Sequence, residues 1–206
     1  MRPELLLLIV KVLTGSYLIG SIPFGAMAGK IYGVNLLEKG SGSTGTTNVI
    51  RNIGFWPGLI VLLCDIGKGA FSAYLGLIVL HDPIYVVLAG IVAMVGHSHS
   101  IFLKFKGGKA AATGVGVLLI MNWQVFLIVA GIVILTLILT RYQSLASLLG
   151  SGATPVLLYF FETDLVYLVV AVLGVVFIWI KHIPNIKRLL AGTENKIGSK
   201  KPAKKK

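Results

Sequence analysis

Long apolar stretches alternate along the chain with short polar breaks, and this pattern predicts membrane-spanning helices. Seven stretches can be drawn as spans: residues 5–28, 55–80, 84–102, 110–121, 125–140, 145–161 and 165–180. The breaks between them contain glycine, proline or charged residues, which interrupt helices or mark their ends. Runs such as 125–139 and 165–180 have the apolar character of a transmembrane helix. The expected fold class is therefore all-α, a polytopic membrane protein with seven transmembrane helices.

The fourth stretch is the weakest of the seven. Its 12 residues would rise about 18 Å as an α-helix, which is short of the roughly 30 Å hydrocarbon core of a bilayer. Either it forms a short helix sheltered by its neighbours, or it merges with the fifth stretch. The two alternatives place everything after residue 140 on opposite sides of the membrane.

The composition supports a membrane protein. Hydrophobic residues make up 56% of the chain and charged residues 13%, whereas soluble domains carry about 25% charged residues. We expect one integral membrane domain over residues 1–196 and a basic, disordered cytoplasmic tail over residues 197–206. The first stretch is longer than the apolar core of a signal peptide and lacks a clear cleavage site, so we expect it to remain in the mature protein.

The distribution of positive charge favours seven spans. The net charge of +12 would indicate nucleic acid in a soluble protein, but basic residues also orient membrane proteins and contact lipid headgroups, so no nucleic-acid partner is expected. With seven spans, 16 of the 19 basic residues fall on one side, all except Arg2, Lys11 and Lys68. With six spans, Arg141 and the basic tail would face away from the lysines at 104–109. Because basic residues accumulate in cytoplasmic loops, the N-terminus is expected outside and the C-terminus in the cytoplasm.

Charged residues inside the predicted spans need partners. Lys11, Asp65 and Lys68 would be costly against lipid, so we expect all three to face the interior of the bundle. Asp65 and Lys68 are three apart and are expected to form a structural ion pair, with a catalytic role as the alternative. His97 and His99 are two residues apart and point in different directions on a helix, and we expect no carboxylate to accompany them. A metal site is therefore not expected, and no residue pattern calls for a cofactor.

The first polar segment has the composition of an anion-binding loop. It reads Gly40-Ser41-Gly42-Ser43-Thr44-Gly45-Thr46-Thr47-Asn48. Its three glycines let the backbone curl and expose N–H groups, the more so if a helix begins just after them. Arg51 follows within one helical turn and can bind phosphate bidentately. The alternative is a flexible linker, but the flanking Asn48 and Arg51 favour a phosphate site.

The second polar segment opens the short fourth stretch. It contains Lys106-Gly107-Gly108-Lys109, whose glycines can present backbone amides at a helix N-terminus, with Lys109 directed at the same anion. It is not a Walker A loop, because the required glycine spacing is missing. From position alone, Lys104 and Lys106 are interpreted as anchors at the lipid headgroups.

Two further segments place polar side chains on helix faces. Ser144 and Ser147 share a face three residues apart, although serine is also a common packing residue between membrane helices. His182 and Asn185 share another face, which Arg188 continues. With seven spans, all four polar segments meet on the cytoplasmic side.

A basic face with two glycine-rich segments fits a substrate that carries phosphate at the membrane surface and an acyl chain in the bilayer. Other lipid chemistries lack their residues. No histidine is followed by aspartate five positions later, as in one large class of acyltransferases, and the three aspartates are too scattered for the metal site of membrane alcohol phosphotransferases.

The segments together resemble the bacterial acyl-phosphate:glycerol-3-phosphate acyltransferases of the inner membrane. Residues 40–48 are similar to that family's Gly-Ser-Gly-Asn-x-Gly-Ala-Thr-Asn motif, with Ser43 for Asn and Thr46 for Ala. The other matches are residues 20–25 to its first-span signature, 106–113 to Lys-Gly-Gly-Lys-x-x-Ala-Thr, 141–147 to Arg-Tyr-x-Ser-Leu-Ala-Ser, and 182–194 to His-x-x-Asn-Ile-x-Arg-Leu-Leu-x-Gly-x-Glu. The resemblance runs from about residue 15 to residue 196, with the motifs in the same order.

The resemblance implies transfer of a fatty acyl group from acyl phosphate to the sn-1 hydroxyl of glycerol 3-phosphate, giving lysophosphatidic acid and phosphate, in a bacterial inner membrane. It implies small-molecule substrates, contact with membrane lipids, and a soluble acyl-phosphate-producing enzyme as a candidate partner. By the same resemblance the residues of catalysis are Lys109, Ser147, His182 and Asn185. The substrate-binding residues are Ser41, Gly42, Ser43, Gly45, Thr47, Asn48, Arg51, Lys106, Gly107 and Gly108.

Three questions stay open from the sequence. The general base is either His182 or the substrate's own phosphate. An acyltransferase that uses acyl-CoA or acyl carrier protein is an alternative to one that uses acyl phosphate. A lipid or anion transporter is a further alternative, although clustering of polar groups on one side and the lack of an internal repeat do not favour it.

Overall fold

A computed structural model describes residues 3–161 and 164–198. Arg2, Glu162 and residues 199–206 of the predicted tail lie outside the described residues. Within those residues the chain folds into nine α-helices and one short 3-10 helix, with no β-structure beyond an isolated bridge between Ser100 and Lys106. The α-helices are α1 (Pro3–Ser21), α2 (Phe24–Ile31), α3 (Thr46–Asn52), α4 (Phe55–Leu80), α5 (Pro83–Ser98), α6 (Ala111–Met121), α7 (Trp123–Thr140), α8 (Gln143–Phe160) and α9 (Leu165–Leu190), and the 3-10 helix is Ile101–Leu103.

The predicted all-helical membrane architecture is confirmed. Four segments are long and apolar enough to cross a membrane, namely Pro3–Ile31, Phe55–Leu80, Trp123–Thr140 and Leu165–Leu190. Pro83–Ser98 and Ala111–Met121 are apolar but shorter. Four of the seven predicted spans therefore meet the length and hydropathy of a crossing on their own.

The first predicted span is broken. It was expected to run through residues 5–28, but α1 ends at Ser21 and α2 begins at Phe24. Pro23 explains the break, because it lacks an N–H and disfavours helical geometry at the residue before it. The carbonyl of Ser21 accepts from Ser100 Oγ at 2.6 Å, and that of Ile22 accepts from Lys68 Nζ at 3.0 Å. These donors satisfy backbone groups that a continuous helix would have paired itself.

The short fourth span is a separate helix and does not merge with the fifth. Asn122 between α6 and α7 has an extended backbone, and its side chain caps α7 by accepting from the Val125 amide at 2.9 Å. The buried residues Leu118, Val125, Val129 and Leu158 then pack α6 and α7 against α8.

The seventh predicted span continues well past Ile180. Lys181 and Pro184 predict an end there, but α9 runs to Leu190. Lys187 and Arg188 lie in its last turn, where positive charge is favourable for the helix dipole. The extension brings His182 and Asn185 onto a regular helix.

The two lysines inside the predicted spans differ in exposure. Lys68 is buried beside Asp65, as expected. The prediction that Lys11 faces the interior is wrong, because its side chain is exposed. The buried stripe of α1 consists of Val12, Ser16 and Gly20, spaced four apart, and Lys11 falls off that stripe.

Glycines allow the close packing of the first half of the bundle. A Cβ on Gly20 of α1 or Gly96 of α5 would lie 2.2 and 2.4 Å from a backbone oxygen of the facing helix. The same holds between α4 and α6, where a Cβ on Gly69 or Gly116 would lie 2.0 and 1.9 Å from a carbonyl. Small residues at such contacts let membrane helices approach closely. This rigid group, with α4 packed against α1, α5 and α6, supports one wall of the site.

Candidate functional site

The four polar segments meet at one end of the bundle, here called the polar end. Arg51 Nη2 donates to the carbonyl of Asn195 at 2.7 Å, and the Arg141 guanidinium donates to the carbonyl of Ile197. Lys109 Nζ donates to Asn185 Oδ1. These contacts join the regions around α3, α6, α7 and α9.

A cavity of about 490 Å³ opens at the polar end and runs into the bundle between α4 and α9. Ten of the fourteen predicted site residues line it: Ser41, Ser43, Gly45, Thr47, Asn48, Arg51, Lys109, Ser147, His182 and Asn185. Deeper in the bundle its wall is mainly apolar, with contributions from Leu118, Phe126, Val129 and Ile178. The remaining four predicted residues, Gly42, Lys106, Gly107 and Gly108, do not line this cavity, and the Lys106 side chain is exposed.

Asn48 holds the first loop (residues 40–48) together from inside. It is 1% exposed, and its Nδ2 lies within 3.0 Å of the carbonyl oxygens of Leu36, Lys39 and Ser43. Its Oδ1 accepts from the amide of Ser41 at 3.1 Å. Asn48 therefore shapes the loop, and its amide group is fully used by the protein.

The shaped loop leaves several donors open. Gly40 and Gly42 have φ of 67° and 66°, a left-handed conformation that favours glycine and curls the chain ahead of α3. In the part of the chain that the structure describes, the amides of Ser43, Thr44, Thr46 and Thr47 have no hydrogen-bond partner. Two side-chain atoms beside them, Thr46 Oγ1 and Arg51 Nε, are also buried without a partner there. Buried unpaired donors are costly, so this group is suited to an anion.

The second loop (residues 104–110) is seated on the end of α5. The Gly108 amide donates to the His97 carbonyl at 3.1 Å. A Cβ on Gly107 would lie 2.1 Å from that carbonyl oxygen, and a Cβ on Gly108 would lie 2.1 Å from His97 Nε2. The glycines thus permit close packing. α6 begins just after Lys109, and Ala111 and Ala112 line the cavity, so the N-terminus of α6 borders it as expected.

Lys109, Asn185 and Glu194 form a chain of hydrogen bonds. Asn185 Nδ2 donates to Glu194 Oε1 at 2.8 Å, which leaves its Oδ1 to accept from Lys109. Glu194 also accepts from Ser144 Oγ at 3.1 Å and from Arg188 Nε at 2.6 Å. Burial by itself would raise the pKa of Glu194, but the bonds from Asn185 and Arg188 lower it below the usual range. The carboxylate therefore stays ionised and fixes the orientation of Asn185.

The pKa of Lys109 is lower than that of an ordinary lysine. Burial lowers the pKa of Lys109 to about 8; Glu194 opposes the shift, and the positive charges of Arg188 and Arg51 add to it. Lys109, Arg188 and Arg51 thus lie near the single carboxylate of Glu194, an arrangement that favours binding of a further anion.

His182 presents one ring nitrogen to the cavity. It is 3% exposed, and its Nδ1 lies 2.8 Å from the carbonyl oxygen of Ile178. Because a carbonyl only accepts, Nδ1 carries the hydrogen, and Nε2 of the neutral ring remains an acceptor. Ser147, one helix over on α8, also lines the cavity and accepts from Gln143 Nε2 at 3.4 Å.

Several residues that line the cavity were not among the predicted site residues, including Thr46, Ser144, Glu194, Asp65 and His97. Ser144 and Glu194 were visible in the sequence, Ser144 on the face of Ser147 and Glu194 at the end of the 182–194 motif. His97 Nδ1 lies 3.4 Å from Asp65 Oδ1, so the inference that no carboxylate accompanies this histidine is wrong. The two residues are 32 positions apart, and only the packing of α4 on α5 brings them together.

His97 and His99 do point in different directions, as expected. His99 Nε2 lies 3.0 Å from Lys181 Nζ, whereas His97 faces Asp65. Among the described residues no group of three or more His, Cys, Asp or Glu side chains is arranged to hold a metal ion.

Comparison with known proteins gives consistent matches. The family model for glycerol-3-phosphate acyltransferase matches residues 10–192. A glycerol-3-phosphate acyltransferase of Synechococcus sp. (strain JA-3-3Ab) is 47% identical over 187 residues, covering 90% of this chain and 92% of its own. One of Carboxydothermus hydrogenoformans is 40% identical over 187 residues, covering 90% and 95%.

Two crystal structures share the fold. PlsY (YgiH), an integral membrane glycerol 3-phosphate acyltransferase, matches in its glycerol 3-phosphate form with a TM-score of 0.87 and 32% identity, covering 92% of this chain and 96% of that one. Its lysophosphatidic acid form matches with a TM-score of 0.84 at the same identity, covering 92% and 95%.

Proposed function

The chain belongs to the glycerol-3-phosphate acyltransferase family, and we propose that it transfers a fatty acyl group from acyl phosphate to the sn-1 hydroxyl of glycerol 3-phosphate. The observation that carries the proposal is the cavity. It connects two groups of hydrogen-bond donors and cations that can bind anions, both at the polar end, with an apolar interior. A substrate with a phosphate head and a fatty chain fits such a space. The products are lysophosphatidic acid and inorganic phosphate.

The first loop is proposed to hold the phosphate of the donor. Ser43, Thr46 and Thr47 line the cavity, and their amides and the buried Thr46 hydroxyl have no partner among the described residues. As the carbonyl carbon is attacked, the bond to the bridging oxygen breaks and negative charge grows on the leaving phosphate. Preorganised amides stabilise that charge without rearrangement. The acyl chain extends into the apolar part of the cavity.

Lys109, Arg51 and the α9 residues His182 and Asn185 are proposed to hold glycerol 3-phosphate. Lys109 and Arg51 supply positive charge for its phosphate, and Arg51 Nε is a donor that no described residue uses. Ser147, Asn185 and His182 line the cavity next to them and can orient the glycerol hydroxyls. Holding both substrates in place is a large part of catalysis when the donor is already activated.

Proton transfer is proposed to be assisted by the substrate. His182 Nε2 accepts from the sn-2 hydroxyl of glycerol 3-phosphate and orients the molecule. The proton of the attacking sn-1 hydroxyl passes to an oxygen of the same substrate's phosphate as the new ester bond forms. This assignment predicts that His182→Ala raises the KM for glycerol 3-phosphate and leaves measurable turnover. Loss of nearly all kcat at an unchanged KM would instead make His182 the general base.

The choice of donor is tested directly. Purified protein is incubated with glycerol 3-phosphate and either palmitoyl phosphate, palmitoyl-CoA or palmitoyl-acyl carrier protein, and lysophosphatidic acid is measured. Product from palmitoyl phosphate alone supports the proposal, and product from a thioester donor contradicts it. A soluble enzyme that supplies acyl phosphate remains a predicted partner.

We further propose seven crossings of a bacterial inner membrane, with the N-terminus outside and the polar end in the cytoplasm. The positive-inside distribution and the separate helices α6 and α7 support this topology. In a Cys64→Ala background, Asp82→Cys should react with an impermeant maleimide in spheroplasts, and Lys187→Cys should react only after lysis. The reverse pattern would invert the topology.

A further inference from the structure

Three ionisable residues outside the proposed substrate contacts form a buried group, here called the Asp65 cluster: Asp65, Lys68 and His97. They are 2%, 5% and 7% exposed. Asp65 Oδ1 lies 2.8 Å from Lys68 Nζ and 3.4 Å from His97 Nδ1. Burying charge inside a membrane bundle is expensive, and a pair of opposite charges rarely repays the cost through stability alone. The contacts of the cluster show what else it does.

One arm of the cluster reaches the first loop. Lys68 Nζ donates to the carbonyl of Ile22 at 3.0 Å, at the break between α1 and α2, and lies 5.6 Å from the centre of the Phe24 ring. Directly after the break, Gly25 packs so tightly on Thr44 that a Cβ would lie 1.7 Å from the Thr44 carbonyl oxygen. Lys68 therefore fixes the chain segment on which the first loop rests.

The other arm reaches the second loop. The His97 carbonyl accepts from the Gly108 amide, and the Nε2 edge of its ring lies against Gly108. Asp65 Oδ1 lies 3.4 Å from Nδ1 on the opposite edge of the same ring. Since Lys109 is the next residue, the orientation of the His97 ring sets where the Lys109 backbone begins.

We infer that the Asp65 cluster is a positioning device that sets the two substrate-binding loops against each other. Asp65 joins the two arms, Lys68 positions the donor loop and His97 positions the loop of Lys109. The inference rests on the proposed function for the assignment of loops to substrates. It predicts that a substitution in each arm raises the KM for a different substrate.

The test uses one substitution per arm. His97→Asn keeps an amide nitrogen near the place of Nδ1 but removes the ring edge against Gly108, and should raise the KM for glycerol 3-phosphate about 10-fold. Lys68→Met removes the donor to Ile22, and should raise the KM for palmitoyl phosphate by about the same factor. In each variant the other KM should stay within about twofold. If Lys68→Met fails to fold, Lys68→Gln replaces it: its amide stays beside Asp65 but is shorter than lysine, so it should weaken the contact with Ile22 and give the same pattern.

Val86→Ala is the matched control for lost stability. Val86 is fully buried on α5 and does not line the cavity, so this variant should lower the melting temperature and leave both KM values unchanged. If the cluster variants behave like this control, or raise both KM values equally, the positioning role is refuted.

A measurement without turnover separates this inference from the proposed function. Calorimetry of glycerol 3-phosphate binding to the folded protein should show weaker binding for His97→Asn and unchanged binding for Lys68→Met. An inactive wild type with palmitoyl phosphate would overturn the proposed donor, whereas equal glycerol 3-phosphate affinities in all three proteins would overturn the role of His97.

Discussion

The first loop and the second loop both place glycines beside one cavity, but they use them differently. In the first loop, Gly40 and Gly42 adopt positive φ, and the curled backbone leaves a row of amides open. In the second loop, Gly107 and Gly108 allow the chain to lie directly on His97, and the charged side chain that this loop places at the cavity is that of Lys109. A glycine-rich segment in a membrane enzyme can therefore be either a binding surface or a seat for the side chain that follows it.

The sharpest test of this contrast compares two lysines of the second loop. Lys109→Met removes a partly buried ammonium from the cavity and should lower kcat/KM for glycerol 3-phosphate about 100-fold or more, as loss of a charge-stabilising donor usually does. Lys106→Met alters an exposed side chain away from the cavity and should change kcat/KM less than about twofold. Steady-state kinetics measures kcat/KM for both variants. Comparable losses of kcat/KM would mean that the whole second loop binds substrate.

The next test compares glycines. Gly107→Ala would place a Cβ 2.1 Å from the His97 carbonyl oxygen, so the loop must move and kcat/KM should fall about 10- to 100-fold. Gly45→Ala in the first loop meets only Ser43 Oγ at 3.6 Å and keeps its amide, so the loss should be within about threefold. A severe Gly45→Ala and a mild Gly107→Ala would reverse the roles given to the two loops.

The pH dependence tests the charge of Lys109. Its pKa is lowered to about 8, so Lys109 is protonated below that pH and loses its charge as the pH rises through it. We expect kcat/KM for glycerol 3-phosphate to fall about 10-fold per unit well above pH 8, since this ratio reports the free enzyme. Lys109→Arg keeps its charge and should retain a flat profile to higher pH, even if its overall rate is lower. An unchanged profile in that variant would assign the decline to another group.

The smallest expected effect concerns two buried hydroxyls. Thr46 Oγ1 in the first loop and Thr113 Oγ1 after the second are both buried without a partner among the described residues. Thr46→Val should raise the KM for palmitoyl phosphate about threefold, the size of one modest hydrogen bond. Thr113→Val should leave both KM values unchanged, because Thr113 does not line the cavity. Equal effects would show that neither hydroxyl contacts the donor.

The sequence predicted the features that depend on local composition. Long apolar runs specify membrane helices through their hydropathy, and the polar segments stood out because charged and glycine-rich stretches are rare in such a chain. The motifs then located ten residues that line the cavity. These predictions agree with the structure because each depends on residues within one short stretch of the chain.

Features that depend on partners far away in the chain were missed. The break at Pro23 is tolerated because Lys68 and Ser100 satisfy the freed carbonyls. The pairing of Asp65 with His97 exists only because α4 packs on α5. The sequence did not predict that α9 continues past Pro184, because a lysine and a proline after an apolar stretch usually indicate the end of a helix.

The central claim is that the first loop binds the donor phosphate while the second loop only presents Lys109. A crystal structure of the protein with a palmitoyl phosphate analogue, in which a methylene replaces the bridging oxygen, tests it most directly. We predict the phosphonate within hydrogen-bond distance of the amides of Thr46 and Thr47, with the chain in the apolar part of the cavity. A phosphonate bound instead by Lys109 and the N-terminus of α6 would contradict the account.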